Sequence, residues 1–439
     1  MTAAALDLVR PTSDVATGSF GGFVALAAGA GQLVVQPRMG MSDPATMRRG
    51  LELTKYAAAT TVGTITLDSY TRLGDEAAAR RAIAAGTSLN GYPIVSHPES
   101  TTRTVLAAVL DDSFPVQVRH GSARPEEIIR ALTKVGLSAT EGGPVSYCLP
   151  YGRTPLRESV DCWTRSCELL VELAEPGQTP HLECFGGCML GQLCPPSLLV
   201  AISLLEALFF TRHGLNSVSL SYAQQTEPAL DQEAILALRR LAAEFLPAGT
   251  QWHVVLYTYM GVFPSSARGA RRLLEAAAEL AVRTRTERLI VKTAAEAHRI
   301  PTIEDNVRAL EYAAAAAAAT DPLSGLLGTA APDSEVYHQA RDLIRAVLDL
   351  GDNLGDSLCE AFRRGYLDVP YCLHPDNAGE TRSFIDEGGR LRWAALGRMP
   401  IDPAHHTIPP GGAAGLSSGR LLAELTTVAR TYDQPSYDH

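Results

Sequence analysis

Lysine is nearly missing from this chain of 439 residues; it occurs only at Lys55, Lys134 and Lys292, and arginine supplies nearly all the remaining positive charge. A composition this biased keeps a lysine most readily where a compact ammonium does something a guanidinium cannot, which singles out Lys292 for attention. A disulfide framework is also lacking: the eight cysteines are scattered from Cys148 to Cys372, so reduced thiols are expected. The one cluster, Cys184-Phe-Gly-Gly-Cys188 followed by Cys194, has neither a Cys-x-x-Cys pair nor a neighbouring histidine pair. It reads as buried inert thiols rather than a metal site. Basic runs are absent, and a net charge of -10 with a pI near 5.6 gives no electrostatic footprint for nucleic acid. Met1 to Gly18 shows no charged region leading into a long apolar one, and no apolar stretch is clean enough to span a bilayer. A cytoplasmic protein is therefore expected. What remains, 46% hydrophobic and 20% charged residues, suits one large domain with attachments, working on small molecules or proteins.

The hydrophobic pattern alternates between short apolar runs and helical periods. Candidate strands are Leu33 to Pro37, Val62 to Leu67, Pro115 to Val118, Val145 to Leu149, His181 to Phe185, Ser217 to Ser221, His253 to Tyr257 and Leu289 to Val291. Helices are expected over Asp43 to Tyr56, Asp75 to Ala85, Pro125 to Val135, Pro155 to Ala174, Pro196 to Thr211, Asp231 to Phe245 and Ala267 to Val282, several opening on the proline or aspartate that helix starts favour, and beyond the eighth strand over Glu304 to Thr320 and Ser334 to Leu350. Eight such units suit either a doubly wound sheet or a closed α/β barrel of the TIM (β/α)8 type. The polar residues favour the barrel. An open sheet concentrates them at one switch point, whereas here Arg38, Arg72, Arg119, Tyr151, Phe185, Tyr222, Met260 and Lys292 follow almost every strand. No Gly-x-Gly-x-x-Gly or P-loop follows a strand, which removes the usual nucleotide readings. The expected organisation is a loose lead-in over 1–20, a barrel with extra helices over 21–350, a small C-terminal α+β appendage over 351–402 and a flexible tail over 403–439.

Arg38 closes the first apolar run in Gln36-Pro37-Arg38, and an arginine at a strand end is either half of a rim ion pair or the fork of an anion site. Arg72 in Asp68-Ser-Tyr-Thr-Arg72 and Arg119 in Gln117-Val-Arg-His-Gly121 follow the next two strands, so barrel topology makes the three neighbours. Converging guanidiniums repel one another unless a multiply anionic ligand joins them. Glu141, with Tyr147 and Tyr151 after it, supplies a carboxylate beside phenolic donors. The set suits a small amino acid with two carboxylates, Glu141 holding its ammonium; the alternative use of Glu141 is to neutralise an arginine. Lys292 and Glu296, four apart, are either an ordinary ion pair or, for the lysine, a Schiff-base nucleophile. His97, His120, His213 and His253 have no metal spacing and read as rim or core residues.

Taken in order, Gln36-Pro-Arg-Met-Gly40, Asp68-Ser-Tyr-Thr-Arg72, Leu89-Asn-Gly-Tyr-Pro93, Arg119-His-Gly121, Glu141-Gly-Gly143, Ser146-Tyr-Cys-Leu-Pro-Tyr151 and Val291-Lys-Thr293 resemble the large catalytic, or epsilon, chain of glutamate mutase, also called methylaspartate mutase. The likeness runs to about Pro400 and includes Asp368-Val-Pro370 and Asn377-Ala-Gly379. The resemblance implies a TIM barrel and an isomerase that interconverts L-glutamate and (2S,3S)-3-methylaspartate. It implies adenosylcobalamin as cofactor, sandwiched between the barrel mouth and a separate small cobalamin-binding sigma subunit, around an epsilon homodimer forming the core of a heterotetramer. Arg38, Arg72 and Arg119 would hold the substrate's carboxylates, with Glu141, Tyr147 and Tyr151 completing the substrate site. Gly40, Thr66, Asn90, Pro150, Phe185, Lys292 and Glu296 would line the cofactor face, the last two near the adenosyl ribose, which displaces the Schiff-base reading. Glu141, Lys292 and Glu296 are the expected catalytic residues, in a radical pathway that splits the carbon skeleton into a glycyl radical and acrylate and rejoins them. No Asp-x-His-x-x-Gly cobalamin-ligating motif occurs in the chain, consistent with a separate cobalamin carrier. A mutase for another acidic amino acid, or a noncatalytic amino-acid-binding relative, stands as the alternative.

Overall fold

In the computed structural model, which describes residues 19–150, 152–189, 193–322, 334–406 and 417–434, eight short parallel strands follow one another around a ring. They are β1 (Val34–Pro37), β2 (Gly63–Thr66), β3 (Val116–Arg119), β4 (Ala139–Gly142), β5 (His181–Cys184), β6 (Ser217–Ala223), β7 (Gln251–Tyr257) and β8 (Arg288–Val291). Their order is β1-β8-β7-β6-β5-β4-β3-β2. The ring closes where Val35 bridges Thr61 and the Val35 amide donates to the Thr60 carbonyl at 2.9 Å. This is the expected TIM barrel, with helices crossing over between parallel neighbours.

Sequence dictates the strand ends closely. Asp43 accepts from the Thr46 amide and Pro44 opens the helix Pro44–Lys55, so β1 must turn at Arg38 to Ser42. Asp68 accepts from the Tyr70 and Thr71 amides and starts the short helix Ser69–Leu73, which carries Arg72 in its last turn. One expected strand is displaced. Val145 to Leu149 is a turn, and the fourth strand lies earlier, at β4, because Pro144 and a buried carboxylate on another helix hold the apolar run out of the sheet. Helices outside the expected set include Phe20–Gly29, capped by Ser19, Ser69–Leu73, Glu99–Leu106 and Leu354–Arg364.

The barrel interior is polar rather than filled with branched aliphatics. Arg288 and Glu183, both fully buried, pair at 2.5 Å. Arg288 also donates to Gln36, to Ser219 Oγ at 3.0 Å and to His253 Nε2 at 3.2 Å. Gln36 donates to Gln117 at 2.8 Å, and Gln117 to Glu183 at 3.1 Å. His181 stacks on His253 at 5.1 Å, and burial, then the Arg288 charge, pushes the pKa of each imidazole well down, so both stay neutral.

The helix Pro196–Arg212 is buried along nearly its whole length, covered by the extra helix Glu335–Leu348. The region after the barrel contributes the antiparallel pair β9 (Arg382–Ile385) and β10 (Leu391–Ala395). Trp393 of β10 is buried and donates to Ser197 Oγ at 3.0 Å, which fastens this pair to the barrel's helical layer. Within the stretch expected as a tail, Ser418–Leu425 and Thr427–Asp433 are helices. The expected lead-in falls outside the described residues except for Ser19 and Phe20. No helix among the described residues is long and apolar enough to cross a membrane.

Candidate active site

The C-terminal rim of the barrel holds a buried cluster built from four strands. Arg119, ending β3, donates from Nε to Glu141 Oε2 at 2.6 Å and from Nη2 to the Tyr257 hydroxyl at 3.1 Å. Glu141 is further bound by the Tyr147 hydroxyl and lies 2.9 Å from that of Tyr257, which also donates to Glu183. Register sets Glu141 and Glu183 side by side on β4 and β5. The Tyr257 hydroxyl has one proton for two carboxylates. Burial disfavours the charge on Arg119, but Glu141, then Tyr257 and Tyr147, more than restore it, so the guanidinium stays protonated. Phe185 packs its ring against Tyr147 at 5.1 Å and Tyr257 at 5.6 Å and closes the side of the cluster.

His120 lies beside this cluster with a definite tautomer. Its Nδ1 accepts from the Ser122 amide at 3.0 Å, which leaves the proton on Nε2; Nε2 is buried near the Glu141 backbone but makes no well-formed hydrogen bond among the described residues. Burial, then the Arg72 charge, lowers its pKa to about 3, so a neutral buried N–H donor stands next to Tyr147, with ring centroids 5.2 Å apart. Arg72 itself lies against the β3 loop, where a Cβ on Gly121 would come within 2.9 Å of its Cδ. Among the described residues, Arg72 has no carboxylate within ion-pair distance.

Across the mouth, Glu296 Oε2 is shared by Arg38 at 3.6 Å and Lys292 at 3.3 Å. Arg38 thus makes a loose rim contact with Glu296 beyond hydrogen-bonding distance, and the Lys292–Glu296 contact is made within a turn. Burial lowers the Lys292 pKa, opposed by Glu296 and reinforced by Arg38, and the ammonium lies 4.8 Å from the centre of the Phe263 ring. A pocket of about 590 Å³ opens here, lined by Arg38, Gly40, Thr66, Asn90, Glu296 and His298 among others. The Thr66 hydroxyl is buried and unpartnered among the described residues, and Asn90 accepts from the Ser69 amide at 2.9 Å.

One carboxylate outside both groups shapes the loop after β4. Glu206, buried on Pro196–Arg212, accepts from the amides of Val145 at 3.0 Å and Ser146 at 2.8 Å, and from Ser146 Oγ at 2.9 Å. A Cβ on Gly143 would sit 2.1 Å from the Glu206 carboxyl carbon, so the turn that aims Tyr147 requires glycine there. Burial raises the Glu206 pKa to about 7 although its hydrogen bonds pull the other way. The neighbouring thiols are buried as well; the Cys184 pKa is pushed up to about 12, first by burial and then by Glu206, and burial raises those of Cys188 and Cys194 also. They are inert at neutral pH.

Of the residues singled out in the sequence, Arg119, Glu141, Tyr147 and Phe185 meet in one cluster, and Arg38, Gly40, Thr66, Asn90 and Glu296 line one pocket, with Lys292 bonded to its edge. Pro150 is half-buried at the end of the turn that carries Tyr147. Tyr151 lies outside the described residues. Sequence reasoning did not find Tyr257, Glu183, Arg288 or Glu206, and it read His120 as an ordinary rim or core residue. The available signal was alternation: in Val116-Gln117-Val118-Arg119 every second residue points into the barrel, and Glu183, Tyr257 and Arg288 hold comparable positions.

Eight parallel strands whose rim gathers arginines, carboxylates and phenols define a (β/α)8-barrel protein with its polar side chains directed to one mouth. The chain belongs to the methylaspartate mutase E chain (MutE) family, whose pattern matches residues 16–408. It is 31% identical over 345 residues to the glutamate mutase epsilon subunit of Halobacterium salinarum, covering 77% of this chain and 72% of that one. To the glutamate mutase epsilon subunit of Treponema denticola it is 30% identical over 356 residues, covering 76% and 71%.

Proposed function

We propose that this chain is the substrate-binding, catalytic component of an adenosylcobalamin-dependent isomerase that interconverts L-glutamate and (2S,3S)-3-methylaspartate, working with a separate cobalamin-binding subunit. The observation that carries this reading is the charge of the mouth. Among the described residues, Arg38, Arg119 and Lys292 have Glu141 and Glu296 as counterions and Arg72 has none, while Glu183 below is matched by Arg288. An excess of fixed cations around one phenol-held carboxylate suits a ligand with two carboxylates and one ammonium. Arg119 uses Nε and Nη2 internally and keeps its Nη1 edge for a ligand carboxylate; Arg72, His120 Nε2 and Arg38 are the further donors. Glu141, held by Arg119 and Tyr147 and sharing the Tyr257 proton with Glu183, takes the ammonium.

The pocket beside Lys292 fits the cofactor's adenosyl group. Its Thr66 hydroxyl has no hydrogen-bond partner among the described residues, and Asn90, Glu296 and Lys292 offer polar groups of both kinds. When bound, the cofactor supplies a weak cobalt–carbon bond as the source of a carbon radical. This chain's residues bind and orient: the arginines fix both ends of the substrate, and the packed rings of Phe185, Tyr147 and Tyr257 wall the site against water. Little acid–base work is required of them. The test is coexpression with a cognate cobalamin-binding subunit, followed by incubation with glutamate and adenosylcobalamin. Formation of 3-methylaspartate with a substrate-dependent cobalt(II) radical signal is expected; neither product nor signal would sink the proposal.

A further inference from the structure

The helix Thr427–Asp433 lies beyond the family match, which ends at residue 408, yet it is bound to the barrel mouth beside Lys292. Asp433 accepts four hydrogen bonds from two consecutive serines. Its Oδ2 receives the Ser265 amide and hydroxyl, each at 2.8 Å, and its Oδ1 the Ser266 amide at 3.0 Å and hydroxyl at 2.6 Å. Arg272 donates to the carbonyls of Tyr432 at 3.1 Å and Gln434 at 3.0 Å, where it caps the helix end. On the apolar side, Val428 is buried with Tyr259, Phe263, Ala270 and Leu273, and Tyr432 packs against them. The approach is close enough that a Cβ on Gly269 would stand 2.5 Å from Asp433 Oδ1.

What this helix holds is the loop after β7, Thr258 to Ser266, which has no regular structure. Its near end is tied to the barrel by the Thr258 amide, to Ile290, and the Tyr259 amide, to Gln224. Among the described residues, the amides of Ser265 and Ser266 at its far end find their acceptor only in Asp433. The loop in turn touches the cofactor-side pocket twice. Phe263 presents its ring to the Lys292 ammonium at 4.8 Å, and the Ser265 carbonyl accepts from His298 Nε2 at 2.8 Å, His298 being a pocket wall.

We infer that the helix Thr427–Asp433 is a built-in strap on the cofactor side of the mouth, and that Asp433 is a positioning residue acting through Ser265 and Ser266 on Phe263, Lys292 and His298. The strap follows from these contacts alone; the identity of the group it serves rests on the proposed function.

Two arms separate the two. In the full chain without cofactor or substrate, hydrogen exchange is compared between the wild type and Asp433→Ala. At least tenfold faster exchange is expected in residues 258–266, with a smaller increase across 292–298 and none at β3 and β4. Unchanged exchange in 258–266 overturns the strap, and a change confined to 258–266 overturns its action on the pocket. In the complex with the cobalamin-binding subunit, the same variant should raise the KM for adenosylcobalamin several-fold while the KM for glutamate stays within twofold. A rise of both together, or of neither, refutes positioning. A wild-type complex inactive on glutamate counts against the proposed function and leaves the exchange result standing. Because Asp433→Ala also removes an anchor at the N-terminus of the helix Ala267–Arg283, which Ser266 caps, Arg272→Ala serves as a second variant that loosens the strap through the Tyr432 and Gln434 carbonyls, with the same exchange pattern expected.

Discussion

Replacing Arg119 by methionine tests whether the mouth is held together by charge pairing. In the wild type its side chain is 5% exposed and that of Glu141 3%, with 2.6 Å between Nε and Oε2. Methionine fills most of the volume but leaves the Glu141 carboxylate buried beside Glu183, whose own cation, Arg288, is already engaged. The Tyr257 hydroxyl cannot compensate, since its single proton already serves two carboxylates. Stranding one member of a buried pair costs about 3–5 kcal/mol. Arg119→Met should therefore lower the urea midpoint markedly. In the double variant Arg119→Met/Glu141→Gln no charge is stranded, and the amide still meets Tyr147 and Tyr257; most of the loss should return, with a coupling of roughly 2–3 kcal/mol between the two sites. Calorimetry should find no glutamate binding to either variant, which separates stability from function. A single variant that unfolds at the wild-type midpoint would refute the reasoning, as would a double variant no more stable than the single.

Arg38→Lys keeps the charge but loses the planar fork. Stability should change by less than about 1 kcal/mol because the Arg38–Glu296 contact is 3.6 Å long with Arg38 34% exposed, whereas the KM for glutamate should rise about tenfold, read in steady-state kinetics. Thr66→Val removes the unpartnered hydroxyl; thermal unfolding should be unchanged or slightly later, and adenosylcobalamin affinity in the complex should fall by about five- to tenfold, the worth of one hydrogen bond. Glu206 should give the wild type a pH dependence that Glu206→Gln lacks. Its folded pKa, about 7, lies above the ordinary carboxyl value of 4.5, so the folded state binds the extra proton and its stability falls as pH rises through that interval. Urea midpoints from pH 5 to 8 should decline more steeply for the wild type than for the variant; parallel curves would show that Glu206 does not titrate there.

How much of this could be seen beforehand depended on how local the cause was. Seven strands were legible because each is a short apolar run set off by turn residues, and the arginines after β1, β2 and β3 were legible as charges ending such runs. The fourth strand was not. Ala-Thr-Glu-Gly carries little β-propensity, while Val145 to Leu149 carries much, and what keeps the latter out of the sheet is Glu206, some 60 residues further along the chain. The partner choice of Arg38 was hidden for the same reason: only closure of the ring brings β8, and Glu296 after it, beside β1. Glu183 and Arg288 are marked in the sequence only by the two-residue alternation of their strands, which does not by itself say whether a charge faces the barrel or the helices. The helix Thr427–Asp433 is short and rich in polar residues, so nothing in its own sequence distinguishes a docked strap from a tail.

The polar interior gives the mouth its rigidity. A fully buried ion pair such as Arg288–Glu183 is no aid to stability compared with well-packed aliphatics. Its effect lies one layer higher. With Glu183 fixed by Arg288 and Gln117, the Tyr257 hydroxyl has a fixed acceptor, and its ring is held against Phe185. Tyr257 in turn receives Arg119 Nη2 and lies against Glu141, which Tyr147 grips from the loop that Glu206 shapes. Each ligand-facing group is thus positioned by a neighbour that itself has no freedom to move. On the proposed function, a radical reaction that must keep two fragments in register would gain from such preorganisation, because any reorientation of the clamp would let the fragments separate before they rejoin. On this argument the floor and the mouth form one device, and weakening Arg288–Glu183 should loosen Tyr257 and Glu141 well before it opens the barrel.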